Sequence, residues 1–117
     1  MSVSFEGVGQ VCATFLGGKL AEGQVVKLTG NGTVGACGDG DHFIGAAICC
    51  KDDACTVQVG GFVTVSYSGA APTVGWSALA ADGKGGVKAA GSGETGSGRL
   101  LPVASVDTIA RTVTILL

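Results

Sequence analysis

The chain has 117 residues, 22 of them glycine, with 46% hydrophobic residues, 14% charged residues and a formal net charge of −2. Ordinary globular chains carry about 7% glycine and about 25% charge, so this composition disfavours long helices, where each glycine costs about 1 kcal/mol relative to alanine, and excludes intrinsic disorder, which needs low hydrophobicity and high net charge. Seven Lys and Arg scattered singly among nine Asp and Glu leave no basic stripe for nucleic acid or an anionic membrane.

The first ten residues carry Glu6 and neither Lys nor Arg, and no apolar run of signal-peptide type follows. The expectation is an N-terminal arm over 1–10 on a product that stays where it is made. Alternation over Val11 to Leu16 gives a first strand, ended by Gly17 and Gly18. Val25 to Thr29 and Thr33 to Cys37 form a hairpin around Asn31-Gly32, because both turn residues accept the positive φ of a type I′ turn. Phe43 to Cys50 is a fourth, mostly apolar strand. Cys55, Val57, Val59, Val63, Val65 and Tyr67 then share one parity, which predicts a long strand bent or broken at Gly60-Gly61. No charge occurs from Ala54 to Ala81, but Gly, Ser, Thr, Gln and Pro interrupt that stretch throughout, so it reads as buried and interfacial strand rather than a membrane helix.

Beyond the turn at Ser68 to Pro72 the pattern starts again. Gly23, a short strand, a glycine turn and Val34 match Gly75, a short strand, Asp82 to Gly86 and Val87. Lys51, Thr56, Val57 and Val59 likewise match Asp107, Thr112, Val113 and Ile115, with the loop at 91–98 absorbing the extra residues. The predicted fold is all-β: a single glycine-rich domain of β-barrel or sandwich type, made of two related β units over 23–67 and 75–117 with the N-terminal strand added.

Few residues suggest chemistry. The one histidine, His42, lies near Cys37, Cys49, Cys50 and Cys55, but the spacings offer no C-x-x-C pair of the kind zinc takes. An odd count of five cysteines, without dense spacing, is read as free thiols in a reducing compartment. Neighbouring Cys49 and Cys50 point to opposite faces of a strand, so one should be more exposed. The G-x-G-x-x-G at 91–96 lies in a loop that runs into Pro102 rather than a helix, and therefore binds no nucleotide. Asp39, Asp41, Asp52 and Asp53 lack the ligand spacing of a calcium loop and read as turn residues and solvated charge. Neither a metal nor a cofactor is expected, and no acid, base and nucleophile combine into an enzyme. Tyr67 and Trp76 bracket the Ser68 to Pro72 turn and suit either a binding interface or the core beneath it. The hydrophobic surplus points to surface buried against other chains.

The order of segments resembles a family. Gly9-Gln10-Val11-Cys12-Ala13-Thr14-Phe15, Gly23 to Leu28 with Gly30 to Val34, Phe43 to Ala47, Val57 to Val65 and Asp82 to Val87 together look like small capsid decoration proteins of tailed bacteriophages, over nearly the whole chain. The resemblance implies a non-enzymatic virion protein on the outer capsid surface, assembled in the host cytoplasm. It would bridge subunits of the major capsid protein as a homo-oligomer, a trimer at three-fold positions, away from nucleic acid and membrane. Contacts are then expected from the arm, at Ser2, Val3, Phe5 and Val8, and from Tyr67 and Trp76. Similar domains occur in phage head fibres and tail tubes, so a self-assembling fibre or tube component is the alternative.

Overall fold

A computed structural model describes residues 10–18, 20–90 and 98–117. Among them regular structure is strand alone: β1 (Val11–Gly17), β2 (Val25–Gly30), β3 (Thr33–Ala36), β4 (Gly45–Lys51), β5 (Ala54–Gly60), β6 (Phe62–Ser66), β7 (Gly75–Ala81), β8 (Val87–Ala89), β9 (Arg99–Asp107) and β10 (Thr112–Leu116). The all-β expectation therefore holds.

Strands β1 to β5 close into a barrel in the order β1-β3-β2-β4-β5, and the rest form a sheet ordered β6-β10-β9-β7-β8. Read from β1 in the other direction, the barrel runs β1-β5-β4-β2-β3, which is the second order with every strand five places earlier. The likeness extends to closure. β1 pairs in parallel with β3 through Leu16 and Gly17, and Tyr67, just past β6, makes a parallel bridge to Val87 of β8.

Local chemistry fixes the corners. The β4–β5 turn has Asp52 and Asp53 at φ 52° and 65°, the left-handed pair that a two-residue hairpin demands and that Asp tolerates better than most residues. At Gly60-Gly61 the chain leaves the barrel for the second sheet, with Gly61 at φ 82°. Buried Gln58 holds this corner: its Nε2 donates to the Gly60 carbonyl at 3.0 Å and the Phe62 carbonyl at 2.7 Å, while its Oε1 accepts from Gln10 Nε2 at 3.2 Å. The break is a change of sheet and not only a bend, so Phe62 to Ser66, read from sequence within the first unit, pairs with the second half of the chain.

Two cores result. Val26, Val34, Ala47, Cys55 and Val57 fill the barrel, with Phe15, Leu20 and Ile44 packed against them. The other core gathers Leu79, Val87, Leu101, Val103, Val113 and Ile115 of the second sheet around Val25, Phe43 and Ala46 of the first half. Adjacent residues on a strand face opposite ways, so Val25 and Val26, like Ala46 and Ala47, serve different cores. This is why β4 reads as a mostly apolar run without alternation and β2 opens on two adjacent buried valines. Cys50 and Cys55, opposite one another on β4 and β5, are joined by a disulfide, which corrects the expectation of five free thiols. Cys12 and Cys49 are exposed thiols and Cys37 a buried one; Cys49 is thus the more exposed of the vicinal pair.

Candidate assembly surface

Strands β7 and β9 pair so that Trp76 stands opposite Pro102 and Ala78 opposite Leu100. Their inward neighbours Leu79, Leu101 and Val103 fill the second core, so alternation aims Trp76 and Leu100 outward. Trp76 is 71% exposed, Leu100 63% and, just before the strand, Val74 62%. Diagonal cross-strand neighbours lie about 7–8 Å apart, within reach of an aromatic side chain, so these residues form one patch rather than isolated exposures. Across the sheet, Leu116 pairs with Phe62; both are partly exposed, and the register that sets Ile115 against Val103 brings this pair towards Pro102. No residue of β6, β7 or β10 is ionisable.

Of the residues expected at contacts, Trp76 lies at the centre of this patch. Tyr67 does not reach the surface: it is 4% exposed, part of the second core, and its ring is covered by the Arg111 guanidinium at 4.9 Å. The correction has a physical cause, since Tyr67 keeps the inward parity of Val65 and carries the bridge that brings β8 to β6. Ser2, Val3, Phe5 and Val8 lie outside the described residues, as does the segment 91–96. Sequence reading missed Leu100 and Pro102 because it used the proline only as an argument against a helix after the 91–96 segment. Pro102 instead sits in β9 just beyond Val103, the last residue of β9 in the ladder to β10, where a missing N–H is cheapest.

The other exposed large apolar residues among the described ones are Val11 and Leu16, near opposite ends of β1, Leu28 on β2, and Ile109, which tops the β9–β10 turn, where Asp107 Oδ1 accepts from the Ile109 and Ala110 amides, each at 3.0 Å.

The polar clusters brace loops. Asp82 accepts from Ser68 Oγ at 2.7 Å, the Lys84 amide at 2.6 Å and the Gly86 amide at 3.0 Å, in the wall of a cavity of about 410 Å³ that also holds the Lys88–Asp39 ion pair. Asp41 accepts from Lys27 Nζ at 2.6 Å and from the Gly38 amide at 2.7 Å. The bond from Lys27 is the main reason that its carboxyl titrates below the usual range, and the same bond raises Lys27. Burial pushes the Cys37 thiol up to about 11. Among the described residues no three of His, Cys, Asp and Glu gather as ligands for a metal, and no helix is long and apolar enough to cross a membrane. The chain matches no protein-family model and no curated protein.

Proposed function

We propose that the chain is a structural protein of a bacteriophage virion, one that binds the exterior of the capsid and stabilises the shell by bridging subunits of the major capsid protein. The observation that carries this reading is the uncharged apolar patch around Trp76. Monomeric proteins rarely expose contiguous apolar surface of this kind without a partner for it, and Trp is among the residues enriched where binding energy concentrates at an interface centre. A shell offers many identical copies of one docking surface, so contacts weak individually sum to a large effect. The reading includes a homo-oligomer on the shell, no enzymatic activity, and no nucleic-acid or membrane partner. The common strand order of the two sheets supports the further reading of two related β units.

The test is co-sedimentation of the purified chain with shells of the major capsid protein from the same phage genome. Saturable binding to assembled shells, and none to the unassembled capsid subunit, is expected. Failure to bind, with filaments or stacked rings in the purified protein, would favour the self-assembling fibre or tube component instead.

A further inference from the structure

We propose that the Cys50–Cys55 disulfide is a thiol-exchange site that small thiols enter through Cys50 alone. The two sulfurs differ in access. Cys55 is fully buried in the barrel core, whereas Cys50 is partly exposed and lines a cavity of about 440 Å³ with Gly18, Leu20, Lys51, Asp52 and Asp53. Which sulfur is attacked in an exchange depends on such access, so the geometry selects Cys50.

The surroundings also provide for the product. The Gly18 carbonyl oxygen lies 3.5 Å from Cys55 Sγ. A disulfide sulfur has no hydrogen to donate to it, but a Cys55 thiol has. Reduction therefore hands the buried sulfur a partner already in place, while the β4–β5 ladder, the Asp52-Asp53 turn and the bond from the Gly17 amide to the Asp53 carbonyl at 2.9 Å remain to hold the hairpin.

In the first step a thiolate RS⁻ attacks Cys50 Sγ, the S–S bond breaks, and its electron pair leaves on Cys55 Sγ. The proton lost by RSH ends on Cys55, which gives Cys50–S–S–R and Cys55–SH. A second RSH attacks the mixed disulfide, releases RSSR and leaves Cys50–SH, so two electrons reduce the protein disulfide as two thiols are oxidised. Cys49 is on the outer face of β4 and does not share the cavity.

The test uses the full chain with Cys12→Ser and Cys49→Ser, oxidised, exposed to cysteamine under native conditions, quenched by unfolding in denaturant with excess N-ethylmaleimide so that buried Cys55 is reached, and mapped by mass spectrometry. Cysteamine on Cys50 and maleimide on Cys55 are expected. Cysteamine on Cys55, equal labelling of both, or a disulfide that opens only in denaturant would overturn the proposal. If the double variant does not fold, the same map on the unaltered chain still distinguishes Cys50 from Cys55.

Discussion

At Gly45 the Gln58 carbonyl occupies the space that a Cβ would need. The clash is with backbone on a paired strand, so no side-chain rotation relieves it. Gly45→Ala is expected to destabilise by about 3 kcal/mol, the upper end for overpacking, measured as a shift in urea midpoint at unchanged slope. Thiol chemistry separates residues of one type. Iodoacetamide near neutral pH should modify Cys12 and Cys49 and leave Cys37 untouched, since Cys37 is buried and its thiol is pushed up to about 11; labelling of Cys37 at the rate of Cys49 would contradict the burial. For Asp41 the sign is set by its lowered carboxyl. The stabilisation by Lys27 is present above the unfolded pKa and lost as pH falls through the folded one. The stability gap between the native chain and Lys27→Met should therefore narrow in acid, and since the pair is solvent-exposed the gap is small throughout.

Elements were legible where their signals are local. The Asn31-Gly32 hairpin and the strand starts at Val11 and Val25 follow from turn chemistry and alternation, and the structure places β1, β2 and β3 there; the turn is not the expected type I′, because only Gly32 takes a positive φ, 63°, and the register shifts between Leu28 and Gly30. The switch of sheet at Gly61 was not legible, because the same parity runs through β5 and β6 although the two strands belong to different ladders. Sequence shows a break there and no more; the side chain of Gln58 determines what the break does. Gln58→Ala removes the donor to the Gly60 and Phe62 carbonyls and is expected to cost about 1–3 kcal/mol, the penalty for leaving such groups unpaired. Hydrogen exchange should quicken first at the β5–β6 corner; a variant as stable as the native chain would show the corner to be held by its glycines alone. The disulfide was hidden for a related reason. Cysteine spacing says nothing of register, and only the pairing of β4 with β5 sets Cys50 against Cys55.

For the whole molecule, part of the hydrophobic surplus is consumed internally, where Val25, Phe43 and Ala46 of the first half fill the second core. Of the large apolar side chains left outside, Val74, Trp76 and Leu100 share the β7–β9 face, while Val11, Leu16, Leu28 and Ile109 lie elsewhere. Sequence identified Trp76 and could not identify its neighbours, since Leu100 and Pro102 join it only through the β7–β9 register. The most direct measurement is shell co-sedimentation of the Trp76→Asp, Leu100→Asp double variant, with its circular dichroism and urea midpoint recorded alongside. Both positions are exposed, so the fold should survive while binding falls by at least tenfold. Undiminished binding by a folded double variant would contradict the account, for the uncharged face would then not be what meets the shell.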